Sequence, residues 1–197
     1  MRRDLLTVGL TGSIGMGKTT TAGMFREQGV PVHDSDAAVH ELYASAAVAD
    51  ISAAFPGVVR NGAVDRNLLA AKVLGDRVAI QLLQDIVHPL VSTHRNAFLQ
   101  SVRGKGFTIC VVDIPLLFET GADECVDIIV VVTASADVQK QRVMARPGMT
   151  ENKFEAIIVN QTPDLDKRCR AHWIIDTTDG LSSARRQVAN VLRALHR

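Results

Sequence analysis

Hydrophobic and polar residues alternate along this chain in short blocks that predict strands and helices in turn. Apolar runs typical of buried strands occur at 5–10, 30–33, 107–112, 127–132 and 173–176. Helical spacing predicts helices at about 17–28, 136–146 and 150–161, and a short one from Pro163. The last helix has one apolar face, formed by Leu181, Ala184, Val188, Val191, Leu192 and Leu195. Strands that alternate with helices predict an α/β fold with a three-layer, doubly wound, mainly parallel sheet.

The middle of the chain follows a different pattern, because residues 37–103 contain no apolar run typical of a buried strand. This Ala- and Leu-rich region has helical spacing, interrupted by predicted turns at 55–57 and at Asn61-Gly62. Pro89 predicts a kink or a break in the helix around His88. We therefore expect one domain with a core at about 1–36, 104–140 and 172–197, a helical insertion at about 37–103 and a lid at about 141–171.

Composition and charge narrow the class of protein. The 197 residues include 22 Lys and Arg against 21 Asp and Glu, a formal net charge of +1 that disfavours general nucleic-acid binding. The apolar runs are too short for a secretion signal or a membrane span, so we expect neither. Three widely spaced cysteines, with Cys110 in an apolar run as a core residue, indicate a reduced cytoplasm. The oligomeric state is left open, with a monomer as the simplest hypothesis.

A phosphate-binding motif follows the first predicted strand and opens the first predicted helix. Residues 12–19, G-S-I-G-M-G-K-T, fit G-x-x-x-x-G-K-[ST] without a mismatch. The glycines let backbone N–H groups surround phosphate oxygens, Lys18 would reach the β- and γ-phosphates, and Thr19 would bind Mg²⁺. The alternative is a tight strand–helix turn with an incidental Lys-Thr. The nucleotide-binding residues predicted here are Gly12, Ser13, Ile14, Gly15, Met16, Gly17, Lys18, Thr19 and Thr20.

Carboxylates follow two of the predicted strands. Asp34 and Asp36 come after 30–33, and Asp113 ends the run 107–112. In a doubly wound sheet the ligand lies beyond the carboxyl ends of the strands, and Asp113 has the position of a metal-organising Walker B aspartate. A kinase needs one carboxylate to accept the proton of the acceptor hydroxyl and others to hold Mg²⁺ through water. Two alternatives stay open: a helix N-cap for Asp36 and a plain strand terminus for Asp113.

Basic residues near the predicted lid have two interpretations. Arg142 and Arg146 lie four residues apart on one predicted helix face, where they could close over a triphosphate or simply face solvent. His88 could equally be a capping or core histidine. We interpret three other basic residues as solvated surface: Lys167, Arg168 and Arg170.

Five strings between about residues 5 and 176 occur in an order and spacing that match one known family. They are G-L-T-G-S-I-G-M-G-K-T at 9–19, D-S-D at 34–36, H-P-L-V at 88–91, D-I-P-L-L-F-E at 113–119, and Gln139-x-x-Arg142 with Arg146 beyond it. Together they resemble the dephospho-coenzyme A kinases, which are similar in fold to the nucleoside-monophosphate kinases. The string at 113–119 is the most specific of the five.

This resemblance implies ATP-dependent phosphorylation of the ribose 3′-hydroxyl of dephospho-coenzyme A, which gives coenzyme A and ADP in the final step of coenzyme A biosynthesis. By position it implies that Asp36 is the base, that Thr19 binds Mg²⁺, and that Asp113 orders the metal through water. It implies that the helical middle region closes over the acceptor. The catalytic residues implied are Asp36, Lys18 and Arg142, the lid residues on ATP are Arg142 and Arg146, and the acceptor-binding residues are Asp36, His88, Asp113 and Leu116.

Several positions depart from the family pattern. Met16 and Thr19 replace frequent serines, although Thr19 keeps a hydroxyl. Ser92 and Ile157 stand where many members have arginine, and Thr177 stands where asparagine is usual.

Two other classes of function compete with this hypothesis. Another small-molecule P-loop kinase, for a nucleoside monophosphate or shikimate, would share the loop and lid but not the string at 113–119. A nucleotide switch should show N-K-x-D after a late strand, whereas the near match at 152–155 ends in glutamate and lies in the predicted lid.

Overall fold

The computed structural model describes residues 5–196, with seven strands, nine α-helices and one 3₁₀ turn at Ala122–Cys125. The strands are β1 (Leu6–Thr11), β2 (Val32–Asp34), β3 (Val59–Arg60), β4 (Ala63–Val64), β5 (Ile109–Asp113), β6 (Ile128–Thr133) and β7 (Trp173–Asp176). The helices are α1 (Lys18–Glu27), α2 (Ser35–Tyr43), α3 (Val48–Ala54), α4 (Arg66–Val73), α5 (Arg77–Gly104), α6 (Ala136–Met144), α7 (Glu151–Val159), α8 (Asp164–Cys169) and α9 (Leu181–Leu195). The chain forms two units: Asp34–Ser101, and the described residues before and after that segment.

The larger unit contains a five-stranded sheet in the order β2-β5-β1-β6-β7. Strand β1 pairs in parallel with β5 and β6, and β6 pairs in parallel with β7. The three central strands are buried along almost their whole length, which explains their nearly continuous apolar sequences. The predicted α/β fold with a mainly parallel sheet is confirmed, and β1 ends at the centre of the sheet, where a phosphate loop would meet its ligand.

Helices α1 and α9 pack on this sheet through apolar faces that the sequence pattern identifies. Phe25 of α1 and Val188 of α9 are almost fully buried in the same core cluster as the central strands. Leu181 is an exception to the predicted face, since its side chain is 60% exposed. It is the first residue of α9, one turn before Ala184 enters the core, so the apolar face begins later than predicted.

The smaller unit has its own core, formed by helices α2–α5 and a hairpin that the sequence pattern does not predict. Strands β3 and β4 pair antiparallel, with Val59 opposite Val64. Asn61 and Gly62 form the connecting turn with φ angles of 50° and 78°, a conformation that suits Asn-Gly in a two-residue hairpin. The predicted turn is therefore present, but its flanking strands are only two residues long and too short to give a periodic signal.

Helix α5 continues through Pro89, so of the two predicted outcomes, a kink or a break, the break is wrong. Proline removes one helical hydrogen bond, but the helix on both sides of it is held by apolar packing. Val87 is buried in the core of the smaller unit, and Leu90 and Val91 pack against that core. This packing outweighs the cost of the missing bond.

None of the helices among residues 5–196 has the length and apolar character that crossing a membrane requires. Cys110 is fully buried in β5, as its apolar surroundings predict, and burial raises the pKa of its thiol to about 11. This cysteine is therefore a protonated core residue.

Candidate active site

The phosphate loop occupies the connection between β1 and α1, and its glycines allow two close approaches. A Cβ on Gly12 would lie 2.5 Å from the carbonyl oxygen of Val132 in β6. Gly15 has a φ of +80°, and a Cβ there would lie 2.5 Å from Cγ2 of Val143. Any other residue at either position would displace the loop from the sheet and from α6. The glycine spacing in the sequence therefore has a direct steric cause.

Helix α1 begins at Lys18, and its N-cap residue is Gly17, which has no side chain to cap the first turn. The backbone N–H groups of that turn are consequently suited to bind an anion. The hydroxyl-bearing residues Thr19 and Thr20 are exposed beside them, while Ser13 and Met16 are buried within the loop. The predicted nucleotide-binding residues thus occupy one continuous turn, with the exposed ones at the helix terminus.

Lys18 and Asp113 form an ion pair at the carboxyl edge of the sheet. The Lys18 Nζ lies 2.5 Å from the Asp113 Oδ1, with side-chain exposures of 14% and 2%. Asp113 is the last residue of β5 and Lys18 the first of α1, so the parallel pairing of β1 with β5 and the loop after β1 bring the motif residues together. The plain strand-terminus alternative for Asp113 is wrong, because its carboxylate contacts the loop lysine.

Two glutamines hold the apex of the loop at Ile14. The Ile14 N–H donates to the Oε1 of Gln161 at 3.1 Å, and the Ile14 carbonyl accepts from the Nε2 of Gln139 at 2.8 Å. Gln139 lies on α6 just before the predicted lid at about 141–171, whereas Gln161 follows α7 and lies within it, so the lid contacts the loop through Gln161. In the sequence, Gln139 stands out only as part of the family string at 139–142, and no motif marks Gln161.

Arg142 lies beside the loop, where it binds Thr177 through two hydrogen bonds. Its Nη1 donates to the Thr177 Oγ1 at 2.7 Å and its Nη2 to the Thr177 carbonyl at 2.8 Å. The Thr177 hydroxyl in turn donates to the carbonyl of Met16 at 2.8 Å. Thr177 is therefore a buried link between the loop and Arg142 that sequence reasoning did not recognise. The available signal was a polar residue directly after β7 at the carboxyl edge of the sheet.

Arg146 does not share a helix face with Arg142, contrary to the prediction. Helix α6 ends at Met144, and Arg146 is exposed in the turn that follows, with its N–H donating to the carbonyl of Val143. The sequence P-G at 147–148 ends the helix earlier than the predicted boundary because proline disfavours helical geometry in the residue before it.

In the smaller unit, Asp34 rather than Asp36 caps helix α2. The Asp34 Oδ1 accepts from the N–H of Ala37 at 3.0 Å, so the N-cap alternative for Asp36 is wrong. Asp36 is exposed in the first turn, and its carboxylate makes no hydrogen bond or ion pair with the described residues. It is therefore available to a ligand.

His88 is exposed on α5, so it is neither a core nor a capping histidine. Leu116, the other predicted acceptor-binding residue, is 41% exposed in the loop after β5, between buried Asp113 and buried Leu117. An exposed leucine within an otherwise buried string is consistent with contact to a ligand.

The segment 161–170, which we call the strap, contains a lysine whose environment is the opposite of the predicted one. Lys167 is fully buried, and its Nζ lies 3.0 Å from the Oε1 of Glu119, so its interpretation as solvated surface is wrong. The same Glu119 oxygen accepts from the N–H of Thr162 at 2.8 Å. Burial raises the pKa of Glu119, but backbone N–H groups, that of Thr162 first among them, and the nearby Lys167 ammonium outweigh it and leave this pKa below its ordinary value. Glu119 is consequently an anion that anchors the strap.

The C-terminal end of the strap contacts the loop after β5 and the 3₁₀ turn. The guanidinium of Arg170 lies 4.1 Å from the centre of the Phe118 ring and 2.5 Å from the Oδ2 of Asp123. Arg168 and Arg170 are exposed, with 44% and 48% of their side chains accessible, so their interpretation as surface residues is confirmed. Arg168 lies 3.7 Å from Asp164. The 113–119 string therefore packs against the strap through both Phe118 and Glu119.

A parallel α/β sheet whose central strand leads into a G-x-x-x-x-G-K-T loop, with an aspartate of the neighbouring strand on the loop lysine, defines a P-loop nucleotide-binding enzyme. A family model described as dephospho-CoA kinase matches residues 6–183. The chain is similar to a dephospho-CoA kinase of Mesorhizobium japonicum, at 56% identity over 97% of both chains. It is also similar to one of Brucella melitensis, at 52% identity over 97% of this chain and 96% of the other.

The same similarity extends to a solved structure. TT1252 from Thermus thermophilus superposes with a TM-score of 0.85, at 30% identity over 97% of both chains. The chain belongs to the dephospho-CoA kinase family. This membership confirms the resemblance found in the sequence and argues against the two competing classes of function.

Proposed function

We propose that this protein transfers the γ-phosphoryl group of ATP to the ribose 3′-hydroxyl of dephospho-coenzyme A, giving coenzyme A and ADP. We assign each residue of the site a specific role in this reaction. The observation that carries the proposal is the Lys18–Asp113 pair at the start of α1, within the phosphate loop and the D-I-P-L-L-F-E string of this family. The loop backbone and Lys18 would hold the phosphates and stabilise charge on the transferred group.

Asp36 would act as the general base. Its carboxylate would take the proton of the 3′-hydroxyl, whose oxygen then bonds to the γ-phosphorus while the bond to the β–γ bridging oxygen breaks and ADP leaves. The exposure of Asp36 and the capping of α2 by Asp34 support this role, because the Asp36 carboxylate is not engaged in the helix terminus. His88, Leu116 and Asp113 would contribute to acceptor binding.

A divalent metal is typical of P-loop kinases, and we propose Mg²⁺. The Thr19 hydroxyl and the Asp113 carboxylate, the latter through water, are oxygen ligands of the kind that Mg²⁺ prefers when the nucleotide phosphates supply the rest. The metal would neutralise phosphate charge during transfer. We expect the protein to act in the cytoplasm, and a monomer is the simplest hypothesis for its assembly.

Arg142 would contact ATP from beside the loop. An arginine has five N–H donors, and Thr177 takes up only two of those of Arg142. The remaining donors are sufficient to bind a phosphate. Arg146 would join it on the triphosphate only with a change in the turn after α6.

The function is tested by ADP release from ATP and Mg²⁺ with dephospho-coenzyme A, AMP, shikimate or no acceptor. We expect release that depends on dephospho-coenzyme A, with coenzyme A as the second product. Asp36→Asn should lower kcat by about 10²–10⁴-fold, the usual contribution of a general base, while ATP binding survives.

The matched control is Asp34→Asn, since asparagine also caps helices and Asp34 lies only two positions before Asp36. It should keep most of the activity. Unchanged turnover in Asp36→Asn would remove Asp36 from the mechanism, and release with another acceptor would overturn the substrate.

A further inference from the structure

The conformation of the phosphate-loop apex depends on side chains outside the loop. Ile14 gives its N–H to Gln161 and its carbonyl to Gln139, whereas the loop itself supplies the bond from the Met16 N–H to the Ser13 carbonyl at 3.1 Å. Gln139 is 7% exposed and lies within α6, so the helix fixes its position. Gln161 lies beyond the end of α7 and requires another support.

That support comes from Glu119 through the residues that follow Gln161. The Glu119 Oε1 accepts from the N–H of Thr162, the residue next to Gln161, and pairs with the Nζ of Lys167. The backbone N–H of Lys167 donates to the carbonyl of Pro163 at 3.0 Å, which closes the first turn of α8. One carboxylate oxygen thus holds both ends of the 162–167 segment.

A second bond fixes the same segment to the sheet. The Thr133 hydroxyl at the end of β6 donates to the Oδ2 of Asp164 at 2.8 Å. The strap is therefore attached to β6 as well as to the loop after β5. Gln161 is presented to Ile14 from a backbone that three polar contacts hold in place: Thr162 and Lys167 with Glu119, and Asp164 with Thr133.

The burial of the Glu119–Lys167 pair indicates that position rather than stability is its main contribution. Lys167 is fully buried and Glu119 is 15% exposed, so both charges lose most of their hydration. Such pairs frequently give no net stability compared with apolar residues of the same volume, whereas they do fix the geometry of the groups they join. Here the geometry that is fixed includes Thr162 and, through it, Gln161.

We propose that Glu119 is a positioning residue for ATP: by holding Thr162 and Lys167, it places Gln161 so that Ile14 and the phosphate loop adopt the conformation that receives the nucleotide. Glu119 itself touches neither substrate in this proposal. The inference rests on the proposed role of the loop in binding ATP.

This proposal and the simplest alternative predict changes in the KM of different substrates. Glu119 ends the 113–119 string, which contains the proposed acceptor-binding residues Asp113 and Leu116. If Glu119 served only that string, its loss would raise the KM for dephospho-coenzyme A. If it acts through Gln161, its loss raises the KM for ATP.

The experiment measures kcat and both KM values for Glu119→Gln, Gln161→Met and the double variant, together with the Kd for ATP. Gln161→Met removes the acceptor for the Ile14 N–H at nearly constant size, and Glu119→Gln keeps an acceptor for Thr162 but removes the charge opposite Lys167. We expect each to raise the KM and Kd for ATP about fivefold to tenfold, with the KM for dephospho-coenzyme A unchanged. The KM for ATP of the double variant should not exceed that of the more impaired single variant, because both substitutions act through one contact.

Val188→Ala is the control for destabilisation alone, since Val188 is buried between α9 and the sheet. It should lower the unfolding temperature without changing either KM. If Glu119→Gln does not fold, Glu119→Gln with Lys167→Met replaces it, because that pair leaves no buried charge.

Three results would overturn the proposal. They are a raised KM for dephospho-coenzyme A alone, multiplicative effects in the double variant, and a KM for ATP in Gln161→Met equal to that of the unmodified protein. Transfer to dephospho-coenzyme A by the unmodified protein tests the proposed function separately, before any variant is compared.

Discussion

The phosphate loop and the strap contact each other at Ile14, but their conformations have different origins. The loop is shaped by adjacent residues, with Gly15 and Gly17 at positive φ and helix α1 directly after them. The strap is shaped by residues 31 to 47 positions away, namely Glu119, Asp123 and Thr133. Local sequence therefore sets the backbone turn of the loop, although Gln139 and Gln161 also hold its apex at Ile14, whereas the tertiary fold determines the strap.

This difference explains why one segment is identified from its sequence and the other is not. A glycine pattern before Lys-Thr specifies a backbone conformation wherever it occurs between a strand and a helix. A lysine between aspartate and arginine, as at 166–168, has the sequence character of an exposed helix face. Only the tertiary structure, in which Glu119 of the loop after β5 lies opposite Lys167, shows that this lysine is buried.

The largest expected effect lies in the loop, in Lys18→Met. This variant removes the cation proposed to stabilise the transferred phosphoryl group, so kcat should fall at least about 100-fold. It also leaves the buried Asp113 carboxylate without the Lys18 ammonium, which should lower the unfolding temperature. Steady-state kinetics and thermal unfolding measure the two effects.

Adding Asp113→Asn separates these effects. The Lys18→Met/Asp113→Asn variant should recover stability but not activity. Recovery of activity as well would mean that Lys18 acts mainly on the fold. The loop, like the strap, would then be held mainly by a contact with a residue distant in the sequence.

Much of the fold follows from the sequence because its elements are determined locally. The strand at 173–176 and the helix after Thr150 occur where the pattern predicts them, and Thr150 caps that helix as its sequence position suggests. The uninterrupted helix α5 does not follow, since apolar packing around Pro89 overrides a local rule. The hairpin at 59–64 is not predicted because its strands are too short to show an alternation of apolar and polar residues.

The candidate site divides in the same way. The motif residues of the loop and Asp113 are found from the sequence because the ends of neighbouring parallel strands must meet. The contacts of Thr177 and Gln161 with the loop are not predicted, since these residues lie 161 and 147 positions away in the chain from the loop residues that they contact. Their polar groups contact the loop only in the folded structure.

An intermediate effect is expected for Thr177→Val, which tests how far the loop is determined locally. The hydroxyl of Thr177 links the Met16 carbonyl to the Arg142 guanidinium, and valine has the same shape without the hydrogen bonds. The KM for ATP should rise about tenfold, the cost of one or two buried bonds. Thr177→Ser, which keeps the hydroxyl, should stay within about twofold of the unmodified protein. Equal effects of valine and serine would show that the loop holds its shape without this remote link.

The smallest effect is a dependence of stability on pH that belongs to the strap. The pKa of Glu119 lies below its ordinary value of 4.5, because backbone N–H groups, that of Thr162 first among them, and the nearby Lys167 ammonium outweigh the opposing effect of burial. The unfolded chain therefore binds this proton more readily than the folded one, so the stabilisation is complete above the unfolded pKa and is lost as pH falls through the folded pKa. The difference in free energy of unfolding between the unmodified protein and Glu119→Gln should accordingly be constant at neutral pH and shrink below about pH 4.5. Denaturant titrations at a series of pH values measure this difference. If the difference in free energy of unfolding stays constant down to pH 3, Glu119 holds the strap through packing rather than through its charge.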